Sequence, residues 1–383
     1  MTYNFDEVPD RRKSECSKWH VYDEDVLHMW FADMDLSYPE SVIQALHDRV
    51  NQGVFGYPRV MPELEEVIVE RMDTLYHWQI EPEDIVFTPG VVKGFNLACQ
   101  AVGEPGGGVL VTPPIYYPIL DAPKNAGMYR QDVELVRAPD GIYQIDWQAF
   151  ESAISDQTQV FILCSPHNPV GRVFTRDELA RMAEICLQHD IIICSDEIHC
   201  DLIFNDHQHI PTASLDPEIA QHTITLMAAS KTFNLAGLQC SFAIIQNDDL
   251  RERYTQSGKG LVSWVNLMGM VATEAAYRHG QAWLDELMRY LEANRQYTYD
   301  YVNDQLPGIT MAKPEGTYLA WLDCREAGIE ENPHKFFLEE ARVCVNNGAD
   351  FGRGGEGFVR LNFGCPRSLL TEALERMRAA LSA

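Results

Sequence analysis

Four polar side chains lie at the ends of short apolar runs, where an ordinary solvated residue is out of place. Lys231 follows the run 224–227 within Ala228-Ala229-Ser230-Lys231-Thr232-Phe233-Asn234. A lysine set between small residues and an aromatic is partly buried. Burial disfavours its ammonium form and makes the neutral amine available as a nucleophile or base. Asp196 closes the run 191–195. A carboxylate there is costly unless a cation or a metal sits against it. Asn168 follows the run 160–164 in a turn made rigid by Pro166, Pro169 and Gly171, and it offers a donor and an acceptor on a short side chain. Arg360 is framed by apolar residues from Phe358 to Phe363, which suits a guanidinium aimed at a carboxylate.

The elements that must hold these groups can be read from periodicity. Residues 85–88, 108–112, 160–164, 191–195, 224–227 and 240–245 are nearly continuous apolar runs, the pattern of strands buried on both faces of a parallel sheet. Helical segments alternate with them, among them 91–102, 147–154 and 176–189. The order predicts a doubly wound, mostly parallel α/β unit over about 45–270. Open sheets of this kind bind ligands at the carboxyl ends of their strands, where Asn168, Asp196 and Lys231 fall. The tail reads differently. One long amphipathic helix from 268 to about 306 stops at Pro307-Gly308, short strands follow near 317–322 and 358–363, and a last helix spans 367–381. This predicts a smaller α+β unit of residues 271–383, joined by residues 1–44. The first 40 residues have little periodicity and are expected to pack across both units.

Bulk properties remove several function classes. The 383 residues carry 57 acidic and 30 basic side chains, a formal charge of −27. Such a surface repels phosphate backbones and anionic membranes, so nucleic acid and membrane partners are not expected. No run approaches the ~18 apolar residues of a membrane span, and the N-terminal residues lack a signal-peptide shape. Ten cysteines are scattered without a C-x-x-C pair. Cys164 and Cys194 fall in apolar runs, which predicts free buried thiols and a reducing cytoplasm. The DEIH segment 196–199 also occurs in helicases, but no G-x-x-x-x-G-K-[ST] loop accompanies it. A metal site from His199, His207 and His209 is set aside, since His-x-His on a polar loop is usually solvated. The glycine-rich loop 351–357 lacks the strand–turn–helix setting of a dinucleotide fingerprint, which argues against a nicotinamide dehydrogenase.

Taken in order, the segments HNPVGR (167–172), SDEIH (195–199) and SKTFNLAGL (230–238) resemble the fold-type I pyridoxal 5′-phosphate (PLP) enzymes of the aminotransferase class I/II superfamily. With FADMD (31–35), FGYP (55–58) and GFVRLNF (357–363), the chain is similar over its whole length to the MalY/PatB subgroup of cystathionine β-lyases, or C–S lyases. The resemblance implies a PLP-dependent transferase-like fold, with 45–270 as the large cofactor-binding domain and 1–44 plus 271–383 as the small one. It implies that Lys231 forms the Schiff base with PLP and then serves as acid and base. Asp196 would face the pyridine nitrogen and keep it protonated, and Asn168 would bond the ring O3′. Tyr116 would stack on the ring, with Tyr117 as the competing position. Gly90, Val91 and Val92, at a strand-to-helix turn, would hold the phosphate through main-chain amides, with a hydroxyl from Ser230. Many aminotransferases add an arginine eight residues after the lysine, where this chain has Gln239; Lys93 could point at the phosphate, but a solvated helix lysine is the expectation. His199 takes the place of a tyrosine common in aminotransferases and either supports Asp196 or lines the ring. Arg360, with Ala32, would bind the α-carboxylate of a small amino-acid substrate. Tyr57 would reach the phosphate of a neighbouring subunit, implying a homodimer with shared active sites.

The same groups serve two reactions. Removal of the Cα proton can be followed by loss of a thiolate from Cβ, giving pyruvate and ammonia, or by reprotonation on the cofactor, giving a keto acid. The subgroup resemblance favours the β-lyase. An amino-acid aminotransferase is the alternative, and so is a PLP-fold protein whose task is to bind a regulatory partner.

Overall fold

In a computed structural model, which describes residues 3–204, 207–262 and 264–382, the chain builds a seven-stranded sheet flanked by helices. The strand order is Ile85–Thr88, Ser241–Ile244, Thr223–Met227, Ile192–Asp196, Thr158–Cys164, Gly108–Val111 and Tyr129–Asp132. Ser241–Ile244 runs antiparallel to both neighbours, and the other pairings are parallel. The Thr158–Cys164 strand shows why the central runs are apolar at every position. Val160, Ile162 and Cys164 enter the core on one face, while Phe161 and Leu163 enter the core on the other.

Helix starts follow local capping chemistry. Arg176–Gln188 begins at Thr175, whose hydroxyl accepts from the Glu178 amide at 3.2 Å, while the Glu178 carboxylate accepts from the Thr175 amide at 2.8 Å. Helix Val91–Val102 lies so close to the sheet that a Cβ at Gly94 would come within 3.0 Å of Leu226.

The C-terminal part forms a three-stranded antiparallel sheet in the order Leu319–Asp323, Phe358–Asn362, Asn346–Asn347, closed by helix Arg367–Leu381. The N-terminal segment bonds to both parts. Leu27–His28 pairs with Val343–Cys344, and the Asn234 side chain bonds the amide and carbonyl of Met34.

Two features differ from the expectation. Tyr129–Asp132 is an edge strand with half-exposed polar residues, so it lacks an apolar signature. The long tail helix is two, Leu267–His279 and Gln281–Gln305, parted at Gly280. A Cβ there would meet the Ala276 carbonyl at 2.4 Å and the Phe233 ring at 2.5 Å, so the glycine makes room for an aromatic two residues after Lys231. All ten cysteines are free, and nine are buried. Among the described residues no helix is long and apolar enough to cross a membrane.

Candidate active site

Strand ends deliver the predicted groups to one place. A cavity of about 190 Å³ at the carboxyl edge of the large sheet is lined by Ala32, Gly90, Val91, Val92, Tyr116, Asn168, Asp196, His199, Ser230 and Lys231. Arg360 lies against it, donating to Asn168 Oδ1 at 2.8 Å. Tyr57 is elsewhere in this chain. It is 87% exposed and packs on the Trp264 ring at 4.9 Å. Tyr117 opens the helix Tyr117–Asn125, is half-turned to solvent and does not line the cavity, so Tyr116 is the aromatic that does.

Lys231 sits in the short helix Ala229–Thr232, which is pinned from behind. The Thr232 hydroxyl donates to Asp201 Oδ2 at 2.8 Å, and Asp201 also pairs with the half-buried Arg71 at 2.5 Å. Forward of the helix, Lys231 Nζ donates to the Ala32 carbonyl at 2.7 Å, an oxygen that also accepts from the Tyr318 hydroxyl at 2.9 Å. Burial pushes the Lys231 ammonium down to about 8; Asp33 and Asp196 oppose that shift and Arg360 adds to it.

Asp196 ends its strand buried, and its carboxylate accepts from the Ile198 amide at 3.2 Å. Burial raises it to about 7, against the stabilising pull of that amide and of Lys231. Its position suits a cationic N–H that would take the proton's place. His199 is buried, its ring edge-on to Tyr318 at 6.0 Å, and its Nδ1 has no hydrogen-bond partner among the described residues. Burial holds it far below the usual histidine range, hence neutral. Of its two expected roles, the geometry matches lining rather than support of Asp196.

Arg360 is the electrostatic feature of the site. Its guanidinium is buried and bonded to three uncharged acceptors: Asn168 Oδ1 at 2.8 Å, Asn346 Oδ1 at 2.6 Å and the Trp30 carbonyl at 3.0 Å. Among the described residues no acid pairs with it, and burial lowers it to about 10, so it stays a cation at neutral pH.

Two groups at the site carried no recognisable signal, and three others sit differently from their expected places. Asn346 and Trp30 reach Arg360 from distant parts of the chain. Lys93 and Gln239 also line the cavity. His209, expected on a solvated loop, is buried, with its Nε2 on Glu197 Oε2 at 2.7 Å. Glu197 also takes the Ser195 hydroxyl and the Thr212 amide on Oε1, so both of its oxygens are engaged within the fold.

The profile of the family "Aminotransferase class I and II" matches residues 28–377. The cystathionine beta-lyase PatB of Bacillus subtilis is 38% identical, covering 99% of this chain and 100% of that protein. The crystal structure of OvoB superposes with a TM-score of 0.95 at 43% identity over 100% of both chains. The PLP-bound C–S lyase from Staphylococcus hominis superposes with a TM-score of 0.93 at 34% identity, covering 99% of each chain. This chain belongs to the aminotransferase class I and II family.

Proposed function

We propose that the chain is a PLP-dependent C–S β-lyase that converts cystathionine or a related cysteine thioether into a thiol, pyruvate and ammonia. The residues fit the cofactor. Beside the Lys231 amine, whose pKa burial lowers, lie a buried acid, Asp196, with no ion-pair partner among the described residues, for the ring nitrogen and the start of helix Val91–Val102 for the phosphate. When bound, PLP supplies an acceptor for the electron pair left at Cα.

The single observation that carries the substrate class is Arg360. A buried cation with only neutral partners is a vacancy for an anion, and its fork matches an α-carboxylate. With the carboxylate held there, the Lys231 amine takes the proton from Cα. His199, Tyr116 and Tyr318 keep the surroundings apolar and neutral, so that proton is not lost to a competing base. A thiolate on Cβ then departs, and the remaining fragment hydrolyses to pyruvate and ammonia. The preference for elimination over transamination rests on full-length similarity to a protein named cystathionine beta-lyase.

Residues 45–270 act as the cofactor-binding domain, and 1–44 with 271–383 close over it. The enzyme works as a homodimer with shared active sites. Tyr57 (87% exposed), Phe55 (61%) and Trp264 (65%) leave an apolar surface that a second copy would cover, bringing Tyr57 toward the other subunit's phosphate. Free buried thiols suit a reducing cytoplasm.

Incubation of the holoenzyme with L-cystathionine is expected to release pyruvate, ammonia and thiol in equal amounts. Keto-acid exchange without pyruvate would instead assign an aminotransferase. The lowered lysine also sets a pH dependence. With its pKa at about 8 rather than the usual 10.5, roughly a tenth of Lys231 is neutral at pH 7. Only the neutral amine attacks an aldehyde, so the rate of PLP uptake by the apoprotein should rise with pH, reach half its maximum at about 8 and level off above about 9. A rate still rising steeply beyond about pH 9.5 would contradict it.

A further inference from the structure

We propose that Lys93, held in place by Gln239, is the side-chain cation that binds the cofactor phosphate in this chain. The inference rests on the PLP reading above and goes beyond it by assigning a residue. In the resemblance to aminotransferases the corresponding charge is an arginine eight residues after the lysine, and that position here is the uncharged Gln239.

The start of helix Val91–Val102 is arranged with its donors already partly spent. The Gly90 amide goes to Ser241 Oγ at 3.0 Å, and the Lys93 amide goes back to the Gly90 carbonyl at 3.0 Å. That leaves the amides of Val91 and Val92 at the helix start, which with the hydroxyls of Ser230 and of a second copy's Tyr57 are all neutral donors, for a dianion in a protein of charge −27. A helix terminus supplies only about half a unit of positive charge.

Lys93 is exposed, but its amine is not free as that of a solvated helix lysine would be. Its side chain folds back, with Nζ donating to the Pro89 carbonyl at 2.8 Å and to Gln239 Oε1 at 3.3 Å. Gln239 is set for this by a left-handed backbone (φ 49°) just after the turn Ala236–Leu238. Both residues line the same cavity as Val91, Val92 and Ser230. An ammonium has three N–H groups, and two are engaged here, so one is left for a phosphate oxygen. Lys231 cannot serve in its place, because its amine is the group that reacts.

The test compares cofactors with and without the phosphate. Apoprotein is titrated with PLP and, separately, with pyridoxal, and binding is followed by visible absorbance. Lys93→Met is expected to weaken PLP binding about 10- to 100-fold, the range of a charge-assisted hydrogen bond, and to leave pyridoxal binding unchanged. Lys93→Arg should keep most of the PLP affinity. Unchanged PLP affinity in Lys93→Met overturns the assignment, and so does an equal loss for both ligands. A wild-type protein that binds no PLP would instead sink the cofactor reading itself, so the two failures are distinguishable.

Discussion

Lys231→Ala is expected to lower kcat by about 10⁴-fold or more while leaving the fold intact. The magnitude follows from removing the one group placed to move the Cα proton, a role worth about 10²- to 10⁴-fold on its own, together with its covalent hold on the cofactor. Retention of the fold follows from the contacts around it. The Ala32 carbonyl that accepts from Lys231 keeps the Tyr318 hydroxyl at 2.9 Å, and the helix stays pinned through Thr232 to Asp201. The substitution also removes a buried amine that burial already disfavours as an ammonium. Thermal unfolding should therefore change little, whereas pyruvate release from cystathionine should all but vanish. Elimination at the wild-type rate would refute the assignment of Lys231.

Arg360→Ala is expected to reduce kcat/KM by about 10²- to 10³-fold, chiefly through KM. Truncating one side of a buried, hydrogen-bonded charge pair costs about 2–5 kcal/mol. Here the lost partner is the substrate carboxylate, because the three acceptors already on Arg360 are neutral. Arg360→Lys should recover only part of the loss, since an ammonium keeps the charge but not the planar fork. An unchanged KM across a panel of amino acids would make Arg360 a structural residue.

Legibility in the sequence followed burial. Asn168, Asp196 and Lys231 stood out because strands buried on both faces are apolar throughout, so the polar cluster that follows each run marks the strand end. The edge strand Tyr129–Asp132 did not stand out, because it faces solvent and has no such contrast. The break at Gly280 was invisible for another reason. The residues on either side keep a helical pattern, and the close contact that leaves no space for a side chain there is with Phe233, 47 positions away in sequence. Asn346 and Trp30 belong to the same class, since only folding brings them to Arg360. His209 was misread because a His-x-His on a polar loop resembles surface, whereas its partner Glu197 lies behind the sheet edge.

The 2.8 Å bond from Arg360 to Asn168 ties two binding events together. A guanidinium drawn toward a bound carboxylate changes the hydrogen bond that orients the Asn168 amide, and Asn168 lines the cavity. Linkage makes such an effect reciprocal. Whatever factor a carboxylate ligand applies to the affinity of the ring's pocket, the occupied pocket must apply to the affinity for the carboxylate. One asparagine thus makes occupancy at the two ends of the cleft a shared thermodynamic quantity.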